Sequence, residues 1–208
     1  MKRYRLATAV GAVLVTAALS GASALAGSSG HAATGNPIKL GALTPLTGPF
    51  APWGIQVRAG MALAINEINR SGGVKGKGNG RQLNLVVADD QSVNTTAAID
   101  GFRRLTDQEH AVAIGGLIGS NIALATARLA EQAHVPMFLV KAGANEILTQ
   151  SSRYTFRTCL PAASEVAVPI LQLAQQRKLK SVGAIIADYA WSRASPSAPF
   201  LRRSSAVS

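Results

Sequence analysis

Residue types able to do chemistry are few in this sequence, and they are scattered. Asp89 and Asp90 end an apolar run, and paired acids at a strand end can hold a magnesium ion. No further acid or Lys can be identified to complete such a site. We therefore read one of the two as capping the connection into a helix that begins near Asn94, and the other as facing water. Gly76, Gly78 and Gly80 look like a phosphate loop, but they precede a strand, whereas the dinucleotide fingerprint follows one and opens a helix. No Gly-Lys-Ser/Thr completes a P-loop, and the G-x-S-x-G nucleophile elbow is missing. His31, His110 and His134 lack metal-ligand spacing. His31 falls in a spacer, and the other two each fall in a turn just before a strand, where a solvated polar residue is expected. Cys159 is the one cysteine, which excludes an internal disulfide and a Cys-based metal cluster. We read it as a small filler in a crossing segment. Sequence reasoning thus finds no catalytic residue, no metal site and no cofactor motif.

The elements that must carry any site follow from composition and periodicity. Of 208 residues, 48% are apolar and 15% charged, which is enough to bury a sizeable core and rules out global disorder. The formal charge of +11 is concentrated at the ends. Lys2, Arg3 and Arg5 lie in a leader, and Arg193, Arg202 and Arg203 in a C-terminal tail. Without these six, 15 basic residues face 10 acidic ones. No Lys/Arg cluster with interleaved aromatics remains, so nucleic-acid binding is not expected.

Residues 1–26 have a basic start, an apolar stretch over 6–19 and small residues ending in Ala24-Leu25-Ala26, the order of a secretory signal. The apolar stretch is too short and too rich in Ala, Gly and Thr to span a membrane. No Cys sits near the cleavage point, so a lipid anchor has no attachment atom there. The expectation is an exported protein, periplasmic or extracellular, with a flexible spacer at 27–36.

From Pro37 onward, short apolar runs alternate with helical periodicity. Strands are expected at 38–44, 83–88, 111–115, 136–140 and 181–187, with a short one at 154–157. Helices are expected at 54–69, from Asn94 or Thr95 to about 107, at 120–132 and at 165–176. Strand, helix, strand repeated in this way implies an α/β, doubly wound parallel sheet with helices on both faces. Ligands of such sheets sit at the carboxyl ends of the strands, here the loops after Thr44, Ala88, Gly116 and Val140. After Trp191 the grammar stops, and 192–208 has neither period.

Six segments in order resemble the solute-binding proteins of branched-chain amino acid ABC transporters, the leucine/isoleucine/valine-binding type. They are IKLGALTPLTGPFAPWGIQ (38–56), GMALAINEINRSGGVKGKG (60–78), LNLVVADDQSVNTTAA (83–98), GGLIGSNIALATARLAEQAHVP (115–136), ANEILTQSSRYTFRT (144–158) and VGAIIADYAW (182–191). The resemblance implies the type 1 periplasmic binding fold, two α/β lobes around a cleft that closes on a small solute. Members deliver that solute to a membrane permease and carry out no chemistry. On this reading 37–158 is the first lobe, largely present, and 159–191 is a crossing segment and the start of a second lobe only begun. The tail at 192–208 does not match, and the chain reads as truncated.

An amino-acid zwitterion needs donors for its carboxylate, acceptors for its ammonium and an apolar pocket. Ser120 opens a helix, so its hydroxyl and nearby free N–H groups can receive a carboxylate. The family's binding loop aligns with Gly119 and Ser120, and its aromatic wall with Trp53. Gly143 and Ala144 fall where the family often has Ala then Thr; Ala144 lacks the hydroxyl that accepts from the ammonium, which puts branched-chain specificity in question. Trp191 aligns with a cleft-facing aromatic residue of the second lobe, and Ser192 replaces the Gly expected next. The acidic partner for the ammonium has no counterpart, so weak or undetectable binding is expected. The alternatives are a non-functional truncated fragment, a secreted α/β enzyme (for which no nucleophile–base pair is visible) and a ligand sensor on the same fold.

Overall fold

The computed structural model describes residues 35–158, 162–181 and 190–193. The leader, most of the spacer, Cys159, the strand expected at 181–187 (beyond Ser181) and the tail after Arg193 lie outside the described residues. Five strands form one parallel sheet in the order β2-β1-β3-β4-β5. They are β1 (Ile38–Thr44), β2 (Leu83–Asp89), β3 (Ala113–Leu117), β4 (Met137–Leu139) and β5 (Thr155–Arg157). Between and after them come α1 (Ala51–Arg70), α2 (Thr95–Arg103, continued by a π turn over Arg104–Gln108), α3 (Ser120–Ala133), α4 (Ala163–Gln176) and a short α5 (Ala190–Arg193).

Alternation along the central strands sends neighbouring side chains to opposite faces. On one face Gly41 is packed beneath Leu105 and Ile114, and Gly101 of α2 lies against Ala88 and Leu43. α2 packs on α3 there, and Phe102, Leu105, Ile114, Leu117, Ile122, Met137 and Leu139 form a buried core. On the other face α1 crosses β1, β2 and β3, with Met61 over Gly115 and Val57 near Gly116. The sheet is therefore doubly wound, as expected from right-handed crossovers. Beyond the reach of α1, Phe138 and Phe156 stack at 5.5 Å and remain 38% and 45% exposed. The β4–β5 end of that face has no described element over it.

Most boundaries shift by one to three residues from those read in the sequence, and three of the shifts have a clear local reason. α1 starts three residues early, because Pro52 in the first turn lacks an N–H that would be unpaired there anyway. β3 starts two residues late, because the Ala111 N–H is bonded to the Leu105 carbonyl and finishes the preceding turn. It also runs past Gly116, where φ is +97° and the β3–β4 register shifts between Gly115 and Leu117. That irregularity needs glycine, since a Cβ on Gly116 would lie 3.2 Å from Thr44 Cβ and 3.3 Å from the Leu43 carbonyl.

The tightest approach in the lobe is α1 against the loop before it. A Cβ on Gly54 would lie 1.7 Å from the Pro45 carbonyl oxygen, whereas one on Gly60, two turns on, would meet nothing within 4 Å. Both are helical glycines, so propensity alone favours alanine at each by up to about 1 kcal/mol. We expect Gly60→Ala to stabilise the chain by about 0.5–1 kcal/mol in urea unfolding. Gly54→Ala is expected to destabilise it by about 2 kcal/mol or more, because backbone must move. Equal effects at the two positions would contradict the contact.

Candidate functional site

At the carboxyl ends of the strands, the loop between β1 and α1 is held by the turn after β2. Asp89 Oδ1 accepts from the N–H groups of Leu46 (2.7 Å), Thr47 (3.3 Å) and Gln91 (2.9 Å), and Oδ2 accepts from the Thr47 hydroxyl at 2.7 Å. Partial burial pushes its carboxyl up, but these four hydrogen bonds together hold it below the usual carboxylate value. Ser92, buried at φ +70°, donates to the Thr47 carbonyl at 2.6 Å and accepts from the Phe50 N–H at 3.0 Å. Asp90 is fully buried: Oδ1 accepts from the Ser92 N–H at 2.8 Å, and Oδ2 has no partner. Burial, with Asp89 alongside, pushes Asp90 up to about 6 against the opposing Ser92 bond. The sequence reading of this pair holds for the connection and is corrected for its exposure. Both carboxylates cap the connection toward Asn94, Asp89 through the Gln91 N–H and Asp90 through the Ser92 N–H. Asn94 caps the helix itself through the Ala97 N–H (3.1 Å). What is corrected is the expectation that the other acid faces water, since Asp89 is tied to the β1–α1 loop and Asp90 is buried. Among the described residues no group of three or more His, Cys, Asp or Glu could hold a metal ion.

Gly119, Ser120, Gly143 and Ala144 are brought together directly. Gly119 is the N-cap residue of α3, packed so closely that a Cβ there would lie 3.0 Å from Asn121 Oδ1 and 3.1 Å from the Ser92 carbonyl. Ser120 is 1% exposed, and its Oγ accepts from the N–H of Gly143 at 3.1 Å and of Ala144 at 3.2 Å. One hydroxyl thereby ties the start of α3 to the loop after β4. Trp53, in the first turn of α1, is 45% exposed and packs on Phe50 with ring centroids 5.6 Å apart. It joins the cluster through Lys141, whose Nζ sits 4.0 Å above the indole ring, two residues before Gly143. Trp191 is on α5, which packs against α3.

Sequence reasoning missed Lys141 and the clamp made by Asp89 and Ser92. A cation closing an apolar strand at the carboxyl edge was a usable signal for the former. His110 and His134 sit exposed in left-handed turns, both at φ 55°, and His134 meets Tyr154 edge-on at 5.1 Å. A separate hollow of about 530 Å³ lies between α3 and the 145–152 segment, lined by Leu124, Arg128, Glu131 and Glu146 among others. Glu131 there is committed to Arg153 N–H, Tyr154 N–H and the Thr155 hydroxyl, so we read the hollow as a by-product of that tie.

Residues 37–199 match the family model described as periplasmic binding protein. The chain belongs to the periplasmic binding protein family. Among its relatives, the Leu/Ile/Val-binding protein homolog 7 of Brucella suis biovar 1 is 33% identical over 166 residues, covering 80% of this chain and 39% of that protein. Homolog 8 of Brucella abortus is 32% identical over 130 residues, 62% of this chain and 30% of that one. The chain thus spans about two fifths of the length of the first of these relatives. Among solved structures, a solute-binding protein of an ABC transporter from Rhodopseudomonas palustris BisB5, in complex with 3,4-dihydroxybenzoic acid, superposes with a TM-score of 0.68 at 26% identity, over 80% of this chain and 43% of that one. The branched-chain amino acid transporter substrate-binding protein LivJ of Streptococcus pneumoniae, in complex with isoleucine, gives 0.56 at 26% identity over 66% and 39%. The resemblance carried by the six segments holds, and the five-stranded sheet with its flanking helices is the first lobe of this periplasmic binding protein fold.

In this family member the two acids after β2 pull stability in opposite directions with pH. Asp90 has a folded value of about 6, above the ordinary 3.8, so the folded state favours its proton and loses stability as pH rises from about 4 through 6. Asp89 is depressed, so its contribution is present above the ordinary value and is lost as pH falls through the lower folded one. Asp90→Asn keeps an acceptor for Ser92. We expect it to remove a pH-dependent loss on the order of 2 kcal/mol between about pH 4.5 and about pH 7.5, measured by urea midpoints. An unchanged slope in that variant would contradict a buried, protonation-favouring Asp90.

Proposed function

We propose that this chain is the extracytoplasmic solute-binding component of an ABC transporter. It binds a small carboxylate-bearing solute, an amino acid or an organic acid, and delivers it to a membrane permease. Residues 1–26 act as its secretory signal and 27–36 as a spacer. Residues 37–158 form the first lobe, and 159–191 cross toward a second.

One observation carries this reading: the carboxyl ends of β1, β3 and β4 bring Trp53, Gly119, Ser120, Gly143 and Ala144 to one place, tied by a buried hydroxyl. That is where open α/β sheets receive ligands. The start of α3 has no side-chain cap, which leaves first-turn N–H groups for a carboxylate. Trp53 supplies an apolar wall, and Trp191, on the helix that packs against α3, is a further proposed contact. Similar solute-binding proteins support both chemistries, since those named above hold isoleucine and 3,4-dihydroxybenzoic acid.

A ligand seated on this wall keeps its other face in water, so we expect saturation in the millimolar range, about −4 kcal/mol. Tryptophan fluorescence of the full chain, titrated with leucine, isoleucine, valine, benzoate and 4-hydroxybenzoate, should change saturably with at least one of them. Trp53→Phe should abolish most of that change, and Ser120→Ala should weaken binding about fivefold or more. No saturable response or heat with any of the panel would contradict the proposal.

A further inference from the structure

We infer that Lys141 is a specificity-determining residue and that this wall selects a carboxylate lacking an α-ammonium group over a zwitterionic amino acid. The inference rests on the solute-binding reading above and names the ligand class of that same site.

The hydrogen-bonding inventory around the cluster is one-sided. Both lone pairs of Ser120 Oγ are occupied by the Gly143 and Ala144 N–H groups, so what the hydroxyl has left is its proton. No described residue accepts that proton. Lys141 adds three N–H donors and no acceptor, and its ammonium rests on the Trp53 ring with no carboxylate paired to it among the described residues. The uncapped first turn of α3 adds backbone donors of the same sign.

Four carbonyl acceptors of this edge, by contrast, are already engaged. The Leu117 carbonyl takes the N–H groups of Val140 and Lys141, and that of Leu139 takes Thr158 N–H and hydroxyl. The Gly143 carbonyl accepts from Ala163 N–H at 2.7 Å, and that of Ala144 from Arg157 Nη2 at 2.8 Å. Ala144 itself ends in a methyl group. Asp89 accepts four hydrogen bonds, three from Leu46 and Thr47 and one from Gln91, and Asp90 is sealed from solvent. A ligand ammonium placed here meets the like charge of Lys141, and the unpartnered oxygens at this edge, Thr44 Oγ1 and Asn121 Oδ1, are buried from solvent. A carboxylate meets the Lys141 ammonium, the Ser120 hydroxyl and the start of α3. Because Lys141 lies over the indole, a carboxylate drawn to it brings the rest of the molecule beside the Trp53 ring.

Ligands that differ by one group separate these cases. The full chain, labelled with nitrogen-15, is titrated with leucine, with 4-methylpentanoate (the same skeleton without the ammonium), with 3-methylbutylamine (the ammonium without the carboxylate) and with benzoate as an aromatic probe. Amide shifts of Gly119, Ser120, Gly143 and Ala144 are followed, and the same spectra report whether each variant is folded. We expect 4-methylpentanoate and benzoate to bind about tenfold or more tightly than leucine, and the amine not to bind. Lys141→Gln should weaken 4-methylpentanoate about tenfold while leaving leucine unchanged or improved, and Lys141→Arg should recover most of the loss. Leucine binding as tightly as 4-methylpentanoate, or Lys141→Gln weakening both alike, overturns the inference and leaves the solute-binding reading standing. If no probe moves these amides, the solute-binding reading falls and this inference falls with it.

Discussion

The buried hydroxyl of Ser120 is the constraint on which the arrangement at the strand ends depends. Gly143 and Ala144 follow the three-residue β4, and the first residue of α3 is where their N–H groups find a partner. A buried backbone N–H without an acceptor costs about 1–3 kcal/mol, so these two fix the course of the loop after β4 relative to α3. Lys141 lies in the same loop, and its place over Trp53 links that loop in turn to the start of α1. Three connections that are far apart in sequence are thereby held as one surface.

The same logic of close approach runs through the glycines. Gly54 lets α1 touch the Pro45 carbonyl, Gly116 lets β3 shift register against Thr44, and Gly119 lets α3 start against the Ser92 carbonyl. Each removes a side chain where backbone meets backbone, and each lies within a few residues of a proposed ligand contact. Asp89 and Ser92 then lock the loop that carries Phe50 and leads into α1. The outcome is a strand edge whose loops are tied to one another by hydrogen bonds.

Much of the fold was legible in the sequence, because the period of apolar residues depends on local geometry. β1 was placed to the residue, the start of α3 was read at Ser120, and the cap of α2 was narrowed to Asn94 or Thr95, of which the structure uses Asn94. What failed was governed by tertiary contacts. Pro52 read as loop although it suits a first helical turn, and Ala111 read as strand although Leu105 captures its N–H. The site was half legible. Gly119, Ser120, Gly143 and Ala144 were found by their alignment with a family pattern, and the structure places them in contact. Lys141 was overlooked because its meaning lies in the ring across from it, and the roles of Asp89 and Asp90 depend on which loop folds back over them. No local pattern contains that information.

The central claim is that the Ser120 hydroxyl holds the loop after β4 in place, and amide hydrogen exchange of Ser120→Ala beside the parent chain measures it most directly. Exchange at Gly143 and Ala144 should accelerate about tenfold or more, while amides of β1 and β3 in the core keep their protection and certify that the variant is folded. Unchanged protection at Gly143 and Ala144 would mean that some other contact fixes this loop, and would contradict the account.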